Sequence, residues 1–470
     1  MQDWTPDLST SAKPRYLALA DQIAADVQAG RLVAGDRLPA QRLLAERLGL
    51  DFTTVARGYG EAQKRGLVEA KQGRGTMVLA AQRPVSRPIS QAVDVITPSR
   101  PHGDDADLSM NLPPEPHSPE LIERMRAGWD LVGRDILPML RYQSFGGGMR
   151  DKEAAQHWLA RRGLAPSIEQ IYVIPGAHAA LLGILSAITK PGDVLLSENL
   201  TYPGIKSVAA LVGIELHGLP MDHEGIEPDA FAEACQRLAP KALYLNPTLQ
   251  NPTNVTISLT RRQQIVEIAR RFGVAIIEDD AYGFIAQGTP PTIASLAPDL
   301  AWYVASLSKC IGAGLRAAYV IAPERRSAWA FAAAVRSASV IASPITLALA
   351  TQWIEDGTAD AILRAVRIET EERQKLAHRI LANQHLDGDP DSFNIWLSLP
   401  AGWTRAAFAG HMRSTGVGIV PSDAFTVSGA PPEAVRICLG GPAPRTTIRR
   451  ALECAAHALD ATTATVTSFL

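Results

Sequence analysis

Cysteine is scarce in this sequence. Four cysteines, at positions 235, 310, 438 and 454, are spread over 470 residues, and no two have the CxxC spacing of zinc sites and redox motifs. Disulfide frameworks belong to short secreted chains that are dense in cysteine. The sequence therefore predicts neither a disulfide-stabilised fold nor a metal site.

Long apolar segments are also lacking. Residues 1–7 carry acids and no apolar core, which excludes the pattern of a signal peptide. The most apolar stretch, about residues 340–354, contains Ser343, Pro344 and Thr346 and is too short to span a bilayer. We therefore expect a cytoplasmic protein with no membrane partner.

A strong excess of charge of one sign is absent from the whole chain, but the charge is unevenly distributed. The formal net charge is −2, whereas Lys13–Thr76 contains eleven basic and seven acidic residues, a net +4 that leaves −6 for the rest. A chain of 470 residues is too long to fold around a single hydrophobic core, so we expect at least two domains. A basic head on an acidic body suggests a polyanionic partner.

The basic head, residues 13–80, shows the pattern of three helices and a hairpin. Apolar residues at steps of three and four predict a helix over 15–29, and two shorter helices follow at about 41–48 and 53–65, the last capped by Thr53 or its neighbour. Two short strands, 67–70 and 76–79, flank a basic glycine turn. This order predicts a winged helix-turn-helix.

Several residues of the head are placed to contact double-stranded DNA. Thr53, Thr54 and Arg57 fall on the outward face of the third helix, which fits a major groove. Arg42 at the start of the second helix and Arg74 in the wing can reach phosphate or the minor groove. The alternative is a small helical interaction domain whose arginines are only solvated.

The head also resembles the GntR family of bacterial regulators. The matching segments are Gly35-Asp-Arg-Leu-Pro39, Arg42-Leu-Leu-Ala45, Leu48-Gly49, Thr53-Thr-Val55, Tyr59, Gly66-Leu67 and Gly73-Arg-Gly-Thr76. The resemblance implies that Arg42, Thr53, Thr54 and Arg74 touch DNA. Phe52 stands where the family often has an arginine, so we expect Arg57 to take over part of the base recognition.

Residues 81–107 have the composition of a linker. They carry Pro84, Pro88, Pro98 and Pro101 and few apolar residues, which favours an extended, semi-rigid chain. We expect this tether to let the head move relative to the body.

The body, residues 108–470, alternates apolar strand patterns with helical patterns. This alternation predicts an α/β fold with a mostly parallel central sheet. The predicted strands are 171–174, 194–197, 214–219, 242–245, 274–278, 302–306 and 317–321. A helix over 260–272, capped by Thr260 and ended by Gly273, is one of the connections. Ligands of such sheets bind at the carboxyl ends of the strands.

Chemically informative residues follow these strands. Lys309 lies in the loop Ala305-Ser-Leu-Ser-Lys309-Cys-Ile-Gly-Ala-Gly-Leu-Arg316, and a buried lysine loses proton affinity and can attack an aldehyde. The alternative is a surface lysine. Asp279 follows another strand, where a buried carboxylate could pair with a protonated ring nitrogen. The turn at Gly176 opens a helix whose backbone amides suit a phosphate.

The order of these motifs resembles the fold-type I, class I/II aminotransferases, which use pyridoxal 5′-phosphate (PLP). The resemblance covers roughly 350 residues of the body. It implies that Lys309 carries PLP as a Schiff base, that Asp279 pairs with the pyridine nitrogen, and that the remaining cofactor contacts come from Ala177, His178, Tyr202, Asn251, Tyr282, Ser306, Ser308 and Arg316.

Four further residues acquire expectations from the same resemblance. Arg436 would bind a substrate carboxylate, the alternative being a structural ion pair, and Tyr142 would reach a phosphate across a dimer interface. Asn254 replaces a common glycine, but asparagine tolerates the left-handed conformation. His178 is expected to pack beside the cofactor rather than to act as a base.

A GntR-like head fused to an aminotransferase-like body is the architecture of the MocR subfamily of regulators. The resemblance implies a homodimeric, PLP-dependent transcriptional regulator that senses a small amino compound by Schiff-base exchange at Lys309. One alternative is an active aminotransferase with an accessory DNA-binding head. Another is a regulator whose effector is PLP itself.

Overall fold

The computed structural model describes residues 4–6, 8, 14–29, 31–33, 35–65, 67–71, 75–78, 106–323 and 325–467. The chain divides into two compact units, a head within residues 1–100 and a body within residues 101–470. Most of the predicted linker, and Arg74 in the predicted wing, lie outside the described residues. In the described parts of the chain, no helix is long and apolar enough to cross a membrane.

The head has the three helices and the hairpin that the sequence predicts. Its elements are the helices Arg15–Gln28, Gln41–Leu48 and Phe52–Lys64 and the strands Val68–Lys71 and Gly75–Val78. The two strands pair antiparallel, with Val68 opposite Val78. Leu19 and Ile23 of the first helix and Val55 of the third are fully buried, and each such side chain contributes about 2 kcal/mol of burial free energy.

Asp51 caps the third helix. Its carboxylate accepts a hydrogen bond from the backbone N–H of Thr53 at 2.6 Å and another from the Thr53 hydroxyl. The helix begins at Phe52, so Thr53 is already inside it and cannot serve as its cap. Asp51 lies two residues before Thr53, so the predicted cap, Thr53 or its neighbour, is wrong.

A seven-stranded sheet forms the centre of the body. Its spatial order is Ile171–Ile174, Ala318–Ile321, Ala301–Ser306, Ala275–Asp279, Ala242–Leu245, Val194–Glu198 and Glu215–Leu219. Only Ala318–Ile321 runs antiparallel to its neighbours. Leu243 and Tyr303 face one hydrophobic cluster and Trp302 faces another, so both faces are buried, as is usual for parallel sheets.

Helices cover both faces of this sheet and build the rest of the body. They are Pro119–Gly133, Ile136–Met139, Met149–Leu159, Ala177–Ile188, Pro203–Val212, Pro228–Leu238, Leu259–Phe272, Ile293–Leu296, Arg325–Ser339, Pro344–Glu355, Thr358–Ile380, Arg405–Ser414 and Arg445–Thr467, with 3-10 turns at Ala160–Arg162, Ile168–Gln170, Ala313–Leu315 and Ser422–Ala424.

The predicted helix over 260–272 begins one residue earlier, at Leu259, and its cap differs from the prediction. The Ser258 hydroxyl accepts a hydrogen bond from the backbone N–H of Arg261 at 3.3 Å, so Ser258 is the cap and Thr260 is not. Gly273 ends the helix in the left-handed conformation, as expected.

A smaller subdomain packs beside the central sheet. Its four-stranded sheet has the order Leu386–Asp387, Asn394–Ser398, Ala434–Cys438 and Val420–Pro421. The remaining short strands pair as Met221–Asp222 with Gly225–Ile226 and Ala106–Asp107 with Val417–Gly418. Ala106 and Asp107, at the end of the predicted linker, therefore belong to the body, and the chain after them enters the space between the two sheets.

Candidate active site and DNA interface

Eleven of the twelve predicted cofactor, catalytic and substrate residues line one cavity of about 470 Å³. They come from separate places along the chain. These residues are Ala177, His178, Tyr202, Asn251, Asp279, Tyr282, Ser306, Ser308, Lys309, Arg316 and Arg436. The central strands deliver several of them because the carboxyl ends of parallel strands meet at one edge of a sheet.

Lys309 lies in this cavity, and its environment favours the neutral, nucleophilic form of its amine. Burial lowers the pKa of the Lys309 amine to about 8; the neighbouring Cys438 and Asp279 oppose this shift, while Arg436 and Arg316 add to it. The Nζ atom donates a hydrogen bond to the backbone carbonyl of Asn111. With this pKa about a tenth of the amine is neutral at pH 7, and neutral amine is the nucleophilic form. The alternative of a surface lysine does not fit this environment.

Asp279 ends a central strand and is nearly completely buried. One carboxylate oxygen, Oδ2, accepts a hydrogen bond from the Tyr244 hydroxyl at 2.8 Å, whereas Oδ1 has no partner among the described residues. Burial raises the pKa of Asp279 to about 6, against the hydrogen bond from Tyr244. A buried, half-satisfied carboxylate is costly unless a ligand donates to its second oxygen.

A group of hydrogen-bond donors that could bind an anion lies near Gly176. Ala177 and His178 form the first turn of the helix Ala177–Ile188, where backbone N–H groups are unpaired by the helix itself. Gly176 has φ +94°, and a Cβ there would come within 2.9 Å of the Arg316 guanidinium. The Arg316 guanidinium makes no hydrogen bond or ion pair in the described parts of the chain, so its charge is available for a phosphate.

Two serines accompany this anion site. Ser306 is nearly buried at the end of its strand, and its hydroxyl accepts a hydrogen bond from the Ser308 N–H at 3.2 Å. His178 lines the cavity too and is exposed, and its expected packing beside the cofactor stays a prediction.

Arg436 is buried and points into the same cavity without a carboxylate partner. Its Nη1 donates to Asn251 Oδ1 at 2.7 Å and its Nη2 donates to the Ser109 carbonyl at 2.7 Å. The guanidinium lies 4.8 Å from the centre of the Phe425 ring. No acidic side chain of the described residues pairs with it, so the alternative of a structural ion pair is not supported.

The turn at Asn254 survives the replacement of glycine. Asn254 adopts φ 65°, the left-handed conformation that the sequence required. Its side chain adds bonds that glycine could not make: Nδ2 donates to the Asp387 and Asn394 carbonyls, and Oδ1 accepts from the Ser392 hydroxyl. Asn254 therefore links the loop of the central sheet to the smaller subdomain.

The predicted DNA-contacting residues of the head that the structure describes lie on its surface. Arg42, Thr53 and Arg57 are exposed and Thr54 is partly exposed. The Arg57 guanidinium stacks 4.3 Å from the centre of the Tyr16 ring, and Arg42 lies 5.9 Å from that of Phe52. An exposed helix face with basic side chains beside it is the geometry of groove recognition.

Comparisons with known proteins agree with both units. Residues 15–78 match the family of bacterial regulatory proteins called gntR, and residues 106–453 match aminotransferase class I and II. The HTH-type transcriptional regulator YdeF of Bacillus subtilis is 28% identical over 441 residues, 93% of each chain. The regulatory protein MocR of Rhizobium meliloti is 26% identical over 414 residues, 84% of this chain and 82% of that one.

The fold of the body has solved counterparts. An archaeal alanine:glyoxylate aminotransferase superposes with a TM-score of 0.70 at 23% identity, over 79% of this chain and 94% of that one. The class I and II aminotransferase match covers most of the chain, and the GntR match covers the head. The chain is a member of the MocR subfamily of transcriptional regulators. YdeF and MocR are both named as regulators, which favours this function over an active aminotransferase with an accessory head.

The MocR-type body also uses residues that the sequence did not single out. Asn111 donates to the Tyr282 hydroxyl at 3.0 Å, and Tyr244 binds Asp279. Asn246 donates to the Asp279 carbonyl at 2.6 Å and accepts from the Asn251 N–H at 2.9 Å. The register of the sheet could have indicated Tyr244, because it is paired with Ile277, two residues before Asp279 on the neighbouring strand. No local sequence pattern identifies Asn111.

Tyr142 lies outside the cavity and is 86% exposed. We predicted that Tyr142 contacts a phosphate of the second chain across a dimer interface. A single chain does not test this role, which stays a prediction.

Proposed function

We propose that this MocR-type regulator binds PLP in the 470 Å³ cavity and uses it to sense a small amino compound. The observation that carries this proposal is that Oδ1 of the buried Asp279, in the cavity that also contains Lys309, has no partner among the residues that the structure describes. A protonated pyridine nitrogen would donate to that oxygen and remove its desolvation cost.

The cavity residues fit the remaining parts of PLP. The first turn of the helix Ala177–Ile188 and Arg316 offer donors for the phosphate, and Tyr202 offers an aromatic face. When bound, PLP supplies an aldehyde that can be exchanged between amines. Lys309 would hold the cofactor, Asp279 would keep its ring nitrogen protonated, and Asn251 and Tyr282 would bind its ring hydroxyl.

Arg436 indicates which amino compounds would be sensed. It is a buried fork of donors whose present acceptors, Asn251 Oδ1 and the Ser109 carbonyl, are neutral. A carboxylate gives charge-assisted, bidentate bonds that are stronger than these. We therefore expect the effector to carry an acid group beside its amine.

We propose that the head contacts DNA through Arg42, Thr53, Thr54 and Arg57. Arg74, which lies outside the described residues, would contact DNA as well. The body would act as a homodimer so that two heads reach two half-sites of an operator. Release of Lys309 by the effector would change the body, and the linker would pass this change to the heads.

Visible absorbance tests the cofactor. Full-length protein should develop a saturable absorbance band on addition of PLP, and Lys309→Ala should lose it. Lys190→Ala, which removes an exposed lysine of the same body, is the matched control because PLP also reacts with surface amines. Equal bands in all three proteins would refute the assignment of Lys309.

DNA binding tests the regulator. An operator can be selected from random double-stranded DNA by the full-length protein, and fluorescence anisotropy then gives its affinity. We expect affinity to change when both PLP and the effector are present, and Lys309→Ala to keep only basal affinity. A change with PLP alone would identify PLP as the effector, and steady release of a keto acid would establish aminotransferase turnover.

A further inference from the structure

A second and larger cavity of about 1050 Å³ lies in the body and shares no lining residue with the Lys309 cavity. Three separate segments form its walls: residues 161–163, 283–295 and 360–367. They bring four arginines to one cleft, namely Arg161, Arg162, Arg364 and Arg367. The proposed binding of PLP and DNA uses none of them.

Arg162 is the most buried of the four. Its side chain is 7% exposed, its Nε donates to Asp280 Oδ2 at 2.8 Å, and its Nη1 donates to the Thr289 hydroxyl. Its Nη2 is buried and has no hydrogen-bond partner among the described residues. An unmade hydrogen bond on a buried charged group is costly, and an acceptor in the cleft would remove that cost.

Arg364 and Arg367 lie one turn apart on the helix Thr358–Ile380. Arg367 donates through Nε to the Ile285 carbonyl and through Nη2 to the Phe284 carbonyl, both at 2.7 Å, which fixes the opposite wall. The Arg364 side chain is exposed and has no hydrogen bond or ion pair within the described residues, although Asp360 is close enough to interact with its charge. Its guanidinium is therefore free to bind an incoming anion.

The charges around the cleft do not cancel. Arg161 pairs with Asp360, and Arg162 pairs with Asp280. Arg364 and Arg367 have no such partner within hydrogen-bond distance in the described residues, although Asp391 beside the cleft is close enough to influence Arg367. Glu278 acts on Arg162 in the same way and is itself paired with Arg262. With Asp391, Glu278 and Arg262 included, five arginines face four carboxylates, and a positive charge remains.

We propose that this cleft is a binding site for a small organic anion that presents a phosphate or carboxylate group to Arg162 and Arg364. Arginine forks match the geometry of both groups and bind them bidentately. The volume exceeds that of an inorganic ion, and Phe284 and Leu363 add apolar wall for an organic part.

Isothermal titration calorimetry of the full-length protein tests this site with three probes: inorganic phosphate, glycerol phosphate and succinate. We expect the cleft to bind one anion per chain in a saturable manner, in addition to any anion taken up by the Lys309 cavity, with an organic probe tighter than inorganic phosphate. Preference for glycerol phosphate would assign a phosphate ligand, and preference for succinate a carboxylate ligand. Absence of saturable binding for all three would overturn the proposal.

Variants locate the bound anion. Arg364→Gln should weaken binding by about tenfold or more, because it removes a charged hydrogen-bond donor without disturbing the fold. Arg379→Gln changes another exposed arginine of the same helix, outside the cleft, and should leave affinity within about twofold. Equal losses in both variants would mean diffuse attraction and contradict a site.

The Lys309 cavity is itself an anion acceptor, so it needs its own control. If the anion occupies the cleft, Arg316→Gln should leave intact the component of binding that Arg364→Gln weakens. Binding that Arg316→Gln abolishes and Arg364→Gln preserves would place the anion in the cofactor cavity and overturn the proposal. This comparison does not depend on whether PLP binding is confirmed.

Discussion

Asp279→Asn should stabilise the PLP-free protein at neutral pH while weakening its affinity for PLP. Burial raises the pKa of Asp279 from its ordinary value of 3.8 to about 6. The folded state therefore binds the proton more tightly than the unfolded state does, and the stability this gives is complete below pH 3.8 and lost as pH rises through 6. At about 1.4 kcal/mol per pH unit, the ionised carboxylate costs the folded chain about 3 kcal/mol at pH 8.

Asparagine keeps an acceptor for the Tyr244 hydroxyl but has no charge to bury. The advantage of the variant over the wild type should therefore grow with pH, by about 1.4 kcal/mol between pH 5 and pH 8. Urea unfolding followed by tryptophan fluorescence measures it, since of the eight tryptophans only Trp4 precedes the body. A pH-independent difference, or a wild type that gains on the variant as pH rises, would refute the reasoning.

The same substitution should act in the opposite direction once PLP is added. A carboxylate that pairs with a protonated pyridine nitrogen is no longer an uncompensated charge, and asparagine cannot replace it. Absorbance titration should show weaker PLP binding to Asp279→Asn than to the wild type. If affinity is unchanged, Asp279 does not bind the ring nitrogen, whatever its effect on stability.

Two further changes test the remaining assignments. Ser258→Ala should lower the stability of the body by about 1 kcal/mol because it removes the cap of the helix Leu259–Phe272, whereas Thr260→Ala should be nearly neutral; urea unfolding compares them, and the reverse order would restore Thr260 as the cap. Arg436→Gln should weaken the spectral response to an amino acid effector by about tenfold or more while leaving the response to its decarboxylated amine unchanged. Equal weakening of both responses would give Arg436 a structural role only.

Much of the cofactor cavity could be predicted because its residues occupy positions set by topology. Asp279 ends a buried strand, and Lys309 and Asn251 each follow one. Because parallel strands end at a common edge, the proximity of these residues follows from the alternation of strands and helices. The apolar strand patterns were long and clear enough to locate all seven strands of the central sheet to within a residue or two.

The residues that escaped prediction depend on contacts between distant segments. Asn111 reaches Tyr282 from a segment 171 residues earlier in the chain, and no local pattern marks it. The helix caps failed for a different reason. Ser258 and Thr260 are both good caps two residues apart, and the choice between them depends on where the first hydrogen-bonded turn begins, which tertiary packing decides.

Unsatisfied buried polar atoms supply the signal that sequence patterns lack. Asn111, Asp279 and Arg436 each have one such atom, and all three line the Lys309 cavity. Arg162 has another, and it lines the arginine cleft. Folded chains satisfy nearly all buried polar groups, so a charged group left incomplete costs stability that a structural role would not require. Asp280 and Arg373 also carry such an atom but line neither cavity, so an unmade hydrogen bond points to a ligand only where it coincides with a cavity. That coincidence occurs at the cofactor cavity, where family resemblance agrees, and at the arginine cleft, where no resemblance was used.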